Sequence, residues 1–281
     1  MVTWPIGLST GCFYQRSIFD CLELIRSSGF SLIEICFSPE HLDYHDLAAV
    51  SRAAARIDEL GMEAYSFHAP FAQGLDISSP DPRQKQQALE EIFRAVEAAA
   101  LLQVHYFVIH PGPESTISPP HEERFQRMEN VVEILDKVAG RCRARGIHCV
   151  LENKLPHLLF GRSSDILWIL DALESVDVGV CLDTGHAALS GDLPSLLHKL
   201  AGHLKMIHAH DNRGQGDDHL PPGDGSINWA ALVQTLVLRG FRGAFILELA
   251  GSPDPVITMS NARRGRSFLS RICRGQDLAP S

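Results

Sequence analysis

Short apolar runs alternate with longer amphipathic segments along the whole chain. Each short run is continuously apolar and does not alternate with polar residues, which is typical of strands buried on both faces. The pattern predicts eight strands, at 6–10, 32–37, 63–70, 105–112, 148–154, 178–186, 204–212 and 243–250.

The amphipathic segments between these runs predict helices. Within 17–29, apolar residues recur at steps of three and four, and Gly29 ends the pattern. Asp165 and Asp192 are candidate capping residues at the start of two of the helices. The other helical segments are 47–61, 83–103, 124–146, 163–174, 192–202, 228–240 and 257–275.

Eight strand–helix pairs follow one another without a long linker or a change in composition. Regular βα alternation predicts a parallel sheet covered by helices. We therefore expect one α/β domain over 1–281, a closed (β/α)₈ TIM barrel, with a doubly wound open sheet as the alternative. The last residues, 276–281, are expected to form a flexible tail.

Composition narrows the class of protein. The formal net charge of −9 disfavours nucleic acid and membrane surfaces as partners, without excluding a local basic patch. The amino terminus lacks the basic start and apolar run of a signal peptide, and no stretch reaches the roughly 18 apolar residues of a membrane span. Seven cysteines without a CxxC motif indicate buried thiols in a reducing cytoplasm.

Imidazoles and carboxylates stand at the carboxyl ends of six consecutive predicted strands, where barrel enzymes place their catalytic groups. They are His68, His110, Glu152, Asp183, His186, His208, His210 and Glu248. Any one of them could be a hydrogen-bonded structural residue, and Glu34 could be a core carboxylate paired with a basic neighbour. Glu152, Asp183, His208 and Glu248 together would bury repelling charges, which a divalent cation between them would compensate.

Seven motifs in this order resemble the xylose isomerase-like TIM barrel superfamily: "SFHAP", "VIHPG", "LEN", "LDTGH", "HAHDN", "DDHLPPGDG" and "LEL". That superfamily includes sugar and sugar-phosphate isomerases and epimerases, inosose dehydratases and endonuclease-IV-type abasic-site nucleases. The resemblance implies one divalent ion (Zn, Mn, Mg or Co) held by Glu152, Asp183, His208 and Glu248. His208 is preferred to His210 because the family ligand precedes the acidic residue, here Asp211, by three positions. His210 is then expected on the other strand face or in a local hydrogen bond.

The nuclease branch of the superfamily uses two further metals. By resemblance, His68 and His110 would serve one of them, and His186, Asp217 and His219 the other. The pattern Asp-x-His selects Asp217 rather than Asp218. Since all of these residues are present, the ligand set alone does not separate the branches.

The first functional hypothesis is a metal-dependent isomerase or epimerase acting on a small sugar, sugar phosphate or keto-polyol through an enediolate that the metal stabilises. By resemblance, Glu152 and Glu248 would exchange a proton with the substrate, while His186 and Arg213 would hold substrate oxygens. The stretch before Arg213 is one residue shorter than in ketose epimerases. A dehydratase would use the same acid–base groups.

Two other hypotheses come from different classes of protein. A three-metal endonuclease of abasic-site DNA would fit the ligands but not the neutral to acidic rim loops. A barrel that only binds a ligand would not need the full set of reactive groups. Phe13, Tyr14 and Phe71 are candidates to line a pocket or to pack under loops. The sequence leaves the substrate and any homo-oligomer open.

Overall fold

Eight parallel strands close into a barrel in chain order, with each strand hydrogen-bonded to the next and β8 paired with β1. The computed structural model describes residues 3–71, 74–174 and 177–275. The strands are β1 Ile6–Ser9, β2 Leu32–Ile35, β3 Glu63–His68, β4 Tyr106–Ile109, β5 His148–Glu152, β6 Gly179–Asp183, β7 Leu204–Ala209 and β8 Ala244–Leu247. The closed (β/α)₈ barrel is therefore confirmed, and the open sheet was wrong.

Helices follow every strand and cover the outside of the barrel. They are α1 Ile18–Ser27, α2 Leu47–Glu59, α3 Pro82–Leu101, α4 His121–Arg143, α5 Ser163–Ala172, α6 Thr184–Leu189, α7 Leu193–Leu200, α8 Trp229–Leu238 and α9 Pro255–Cys273. A short 3₁₀ helix, Thr10–Phe13, follows β1. The predicted tail at 276–281 lies outside the described residues.

The predicted strand at 178–186 is wrong in its last part, because β6 ends at Asp183 and α6 begins at Thr184. Asp183 turns the chain, since its Oδ1 accepts a hydrogen bond from the backbone N–H of His186 at 2.7 Å. Most other strands also end earlier than predicted, β7 at Ala209 and β8 at Leu247. The polar residues that follow are therefore at the rim and no longer in the sheet.

Two apolar clusters cover the inner and outer faces of the barrel sheet. Seven residues pack together as a small inner cluster in the barrel: Leu32, Val108, Val150, Cys181, Met206, Ala244 and Ile246. A much larger cluster joins the outer strand faces to the helices, and Trp229, Phe245 and Phe107 are among its buried rings. All seven cysteines are free and six are buried, as expected of small apolar residues.

Within the described part of the chain, no helix is both long and apolar enough to cross a membrane.

Candidate active site

The inner barrel cluster and the candidate site lie on the same face of the strands. Side chains two residues apart on a strand share a face. Each of several inner cluster residues is therefore followed, two positions later at the carboxyl end, by an acid or an imidazole. The pairs are Leu32 and Glu34, Val108 and His110, Val150 and Glu152, Cys181 and Asp183, Met206 and His208, and Ile246 and Glu248.

Four of these side chains converge into what we call the central cluster, formed by Glu152, Asp183, His208 and Glu248. One potential ligand atom from each lies within 4.8 Å of those of the other three. Nδ1 of His208 lies 3.2 Å from Oε1 of Glu152 and 3.3 Å from Oε2 of Glu248. Glu152, Asp183 and His208 are almost completely buried, whereas Glu248 is partly exposed to the cavity above.

Glu34 fixes the orientation of His208 from inside the barrel. Its Oε2 lies 2.9 Å from Nε2 of His208 and accepts a hydrogen bond from Oγ of Ser66 at 2.8 Å. A carboxylate only accepts, so Nε2 of His208 donates to Glu34, and Nδ1 is the ring nitrogen that faces the central cluster and could serve as a ligand there. The predicted pairing of Glu34 with a basic neighbour is therefore found, and the neighbour is a candidate metal ligand.

A second group of candidate ligands consists of His68, His110 and Glu152. Nε2 of His68 and Nε2 of His110 lie 3.2 and 3.4 Å from the same Oε2 of Glu152. Glu152 thus belongs to both groups and joins them. Nδ1 of His110 contacts Glu114 at 2.9 Å, and Glu114 in turn lies 3.2 Å from Nζ of Lys154.

A third group, which we call the loop cluster, consists of His186, His210, Asp217 and His219. Oδ2 of Asp217 lies 3.4 Å from Nε2 of His186 and 3.0 Å from Nε2 of His219. The structure thus brings Asp217 to this group, while Asp218 contacts Arg213.

His210 belongs to the loop cluster, so the expectation that it lies on the other strand face was wrong. The expected local hydrogen bond is present, because Nε2 of His210 lies 2.9 Å from Oδ2 of Asp183. Its ring stacks on that of His219 with centroids 4.0 Å apart. Side chains two residues apart share a strand face, so alternation places His210 on the same face as His208, as the structure shows.

Gly185 is required for this placement of His210. A Cβ on Gly185 would lie 2.0 Å from Cε1 of His210, so only glycine lets α6 approach the imidazole. This contact accounts for the glycine of the "DTGH" motif.

The imidazoles are oriented as in metal sites, where the nitrogen that does not bind the metal donates to a carbonyl or carboxylate. Nδ1 of His68, His186 and His219 lies 2.8–2.9 Å from the carbonyl oxygens of Ala69, Asn153 and Glu248 respectively. Since a carbonyl only accepts, each Nδ1 donates and each Nε2 is turned towards a carboxylate. The buried Nδ1 of His208 and Nε2 of His110 make no hydrogen bond within the described residues. The residues present therefore fit a divalent cation.

Charge within the site is strongly coupled. Burial opposes the charged forms, but the neighbouring imidazoles, His208 first, hold the pKa of Glu152 and that of Glu248 well below the usual range. Burial likewise opposes protonation of His68, but Glu152 outweighs it and raises the pKa of His68 to about 9. For His186, the charge of Asp183 overcomes burial and raises its pKa to about 10. The carboxylates are thus anionic and attract positive charge.

Asp211 organises the loop that carries Asp217 and His219. Its Oδ1 accepts hydrogen bonds from the backbone N–H groups of Asn212 and Ile227 at 3.0 and 3.1 Å. Its Oδ2 accepts from the N–H of Gly223 at 3.0 Å and from Nε1 of Trp229 at 2.8 Å. The buried carboxylate therefore joins both ends of the loop to α8.

A cavity of about 930 Å³ opens above these groups. Its walls include seven of the candidate residues: His68, His110, Glu152, His186, Asp217, His219 and Glu248. Phe13, Tyr14 and Phe71 also line it, as one of the two sequence interpretations expected. Arg213 is not brought to the central cluster, because its side chain is 66% exposed and its guanidinium contacts Asp218.

Sequence reasoning missed Lys154 as a wall of the cavity. Its side chain is 1% exposed, and Nζ donates to the carbonyl oxygens of Gly112 and Pro113 at 3.0 and 2.5 Å, besides contacting Glu114. The position of Lys154, two residues after Glu152 at a strand end, was the available signal.

Comparison with known proteins places this geometry in a family. An uncharacterised protein of Methanocaldococcus jannaschii is 28% identical over 262 residues, which cover 89% of this chain and 85% of that protein. A probable endonuclease 4 of Aquifex aeolicus is 24% identical over 178 residues, or 57% of this chain and 61% of that protein.

Among solved structures, a D-tagatose 3-epimerase-like protein superposes with a TM-score of 0.83 at 24% identity, covering 97% of this chain and 98% of that one. At this identity the likeness shows the fold. The family profile described as xylose isomerase-like TIM barrel matches residues 22–272. With the barrel and the ordered rim residues, this match shows that the chain belongs to the xylose isomerase-like TIM barrel family.

Proposed function

We propose that this protein is a divalent-cation-dependent sugar epimerase or isomerase, with its reaction centre between Glu152 and Glu248. The observation that carries the proposal is the central cluster, in which both carboxylates contact Nδ1 of His208 below an open cavity. A structural neighbour described as D-tagatose 3-epimerase-like supports the same class of reaction.

Glu152, Asp183, His208 and Glu248 would hold the cation, because their potential ligand atoms converge within 4.8 Å. Zn, Mn, Mg and Co are all compatible with a mixed set of imidazole and carboxylate ligands. When bound, the cation supplies Lewis-acid stabilisation of negative charge on substrate oxygens.

The chain itself supplies the acid–base chemistry. Glu152 and Glu248 come from β5 and from the end of β8, so their carboxylates approach a substrate in the cavity from different sides of the barrel mouth. One carboxylate removes a proton from the carbon next to a substrate carbonyl, and the other returns a proton to a neighbouring or opposite position. Both carboxyls have a pKa well below the usual range in this environment, so either is available as the base, and the one that acts as acid must first take up a proton from the solvent.

Substrate oxygens would be held by imidazoles of the cavity wall. Nε2 of His186 faces the cavity side beside Asp217, and His219 lies next to it. Arg213 is not a suitable partner for the substrate in this conformation, since its side chain points to solvent.

The experiment is solvent deuterium exchange. Mn²⁺-loaded protein is incubated in D₂O with a panel of ketoses and keto-glycosides, and deuterium at the carbon next to the carbonyl is measured by NMR. Glu248→Gln should reduce exchange by about 10²–10⁴-fold while Mn²⁺ remains bound. Undiminished exchange in Glu248→Gln, or no exchange by the wild type with any of these sugars, would contradict the proposal.

A three-metal phosphodiesterase is the second candidate, favoured by the two additional groups of candidate ligands around the central cluster. The composition of the cavity wall argues against this candidate. Among the described wall residues there is one arginine, Arg16, and one lysine, Lys154. Lys154 already contacts three acceptors. A DNA-binding face needs several free cations. Chelator-sensitive incision of an abasic-site duplex would establish this alternative.

A further inference from the structure

The cavity extends well beyond the central cluster, and this extent bears on the substrate. Its volume of about 930 Å³ lies at the upper end of the roughly 300–1,000 Å³ of pockets that hold drug-sized ligands. A single monosaccharide seated on the central cluster would leave much of that volume to solvent. A second group of the substrate has room there.

Apolar side chains from two opposite strands border this additional space. Phe13 and Tyr14 follow β1, whereas Leu155 and Leu158 follow β5. In a closed barrel of eight strands, the first and fifth strands lie across the mouth from each other. Tyr14 is 41% exposed although it lines the cavity, so it has apolar surface available to a ligand.

The wall after β1 is held in place by hydrogen bonds. Oγ of Ser38 donates to the carbonyl oxygen of Tyr14 at 2.6 Å, and Nδ1 of His41 donates to that of Arg16 at 2.7 Å. The guanidinium of Arg16 donates to the carbonyl oxygen of Pro253 at 2.9 Å across the rim. This wall is thus preorganised for a ligand, which lowers the entropic cost of binding.

The lysine and arginine side chains of the cavity wall do not form a phosphate site. The three N–H bonds of Lys154 match its three acceptors, the carbonyl oxygens of Gly112 and Pro113 and the carboxylate of Glu114. Arg16 stands at the exposed mouth and is tied to Pro253. Recognition of a phosphate ester uses converging, free donors, which Lys154 does not offer.

We propose that the substrate is an uncharged sugar bearing a second, aromatic or apolar group, which binds between Tyr14 and Leu158. The substrate class, though not the subsite itself, rests on the proposed function. A glycoside or a similarly conjugated sugar has this chemistry, whereas a free monosaccharide and a sugar phosphate do not.

Equilibrium binding tests the subsite without requiring turnover. Isothermal titration calorimetry on Mn²⁺-loaded full-length protein compares phenyl β-D-glucopyranoside, methyl β-D-glucopyranoside and glucose 6-phosphate. We expect the phenyl glycoside to bind at least about ten-fold more tightly than the methyl glycoside, because its ring is removed from water. Glucose 6-phosphate should bind no more tightly than the methyl glycoside.

Two variants locate the effect. Leu158→Asn should remove the preference for the phenyl group and leave the affinity for the methyl glycoside unchanged. The matched control is Leu238→Asn, on α8, whose side chain is 78% exposed and is not part of the cavity wall; it should retain the preference.

The proposal is overturned if wild type binds the two glycosides equally, fails to bind the phenyl glycoside, or prefers the phosphate. It is also overturned if Leu158→Asn keeps the phenyl preference. Because binding is measured separately from deuterium exchange, a protein with this preference but no exchange would refute only the proposed reaction. Deuterium exchange without a preference for the phenyl glycoside would refute only the subsite.

Discussion

Glu34 and His208 form a buried pair, with Oε2 of Glu34 2.9 Å from Nε2 of His208 and both side chains inaccessible to solvent. The pair leaves Nδ1 of His208 to face Glu152 and Glu248. When a metal-binding imidazole donates a hydrogen bond to a carboxylate, the carboxylate fixes the tautomer of the imidazole and raises the basicity of its other nitrogen.

Glu34→Gln should therefore weaken cation binding by about 10–100-fold, the usual effect of losing such a partner. Competition with a chelating dye measures the affinity for Mn²⁺ or Zn²⁺, and circular dichroism confirms that the variant folds. The matched control is Ser66→Ala, which removes the other hydrogen bond to Glu34 and should have a smaller effect. Unchanged metal affinity in Glu34→Gln would show that the pair serves stability alone.

Metal addition should raise the thermal unfolding temperature, because the central cluster exists in the folded barrel and is dispersed in the unfolded chain. At a free cation concentration 100-fold above Kd, binding adds about 2.7 kcal/mol, which corresponds to a rise of roughly 5 °C for a chain of this size. Differential scanning fluorimetry with and without chelator measures the shift.

Asp183→Asn should lose most of that thermal shift. His45→Gln provides a control, since His45 also contacts two carboxylates, Asp43 and Glu91, but is exposed on the surface. A shift that survives in Asp183→Asn, or disappears in His45→Gln, would place the ion elsewhere.

Gly185→Ala should destabilise the protein by about 1–3 kcal/mol or more, because the added Cβ overlaps the ring of His210. Denaturant unfolding measures the change as a lower midpoint. Gly140→Ala is the matched control in α4, where a Cβ meets no atom within 4 Å and should stabilise by about 0.5–1 kcal/mol. Equal stability of Gly185→Ala and wild type would contradict the packing described for α6.

Asp211→Asn should loosen the loop that carries Asp217 and His219. An amide retains one acceptor oxygen where the carboxylate has two, so some of the four donors around it lose their partner at a cost of about 1–3 kcal/mol each. Hydrogen exchange of Gly223 and Ile227 should accelerate.

Asp224→Asn, which breaks an exposed ion pair with Arg264, should leave both stability and exchange close to wild type. Protection of the Gly223 and Ile227 amides that persists in Asp211→Asn would refute the central role of Asp211 in the loop.

The barrel, and the convergence of most candidate site residues at its rim, could be predicted from the sequence because both follow from periodicity. Continuous apolar runs marked the strands, and an acid or imidazole two residues after an inner cluster residue necessarily reaches the rim, as Val150 and Glu152 show. Convergence of these residues then follows from closure of the sheet.

Periodicity does not predict which side chains contact one another. Alternation turns His210 to the same face as His208, but its contacts with Asp183 and His219 come from other parts of the chain. The role of Glu34 depends on a partner 174 residues away, His208. Such a pairing arises from the folded barrel and is not encoded in spacing along the chain.

The most direct test of the proposed centre is anomalous diffraction from crystals of Mn²⁺-loaded protein. We predict an ion bounded by carboxylate oxygens of Glu152, Asp183 and Glu248 and by Nδ1 of His208, at distances of about 2.0–2.3 Å. An ion bound only by the loop cluster, or a fully loaded crystal without an ion at the central cluster, would contradict the account.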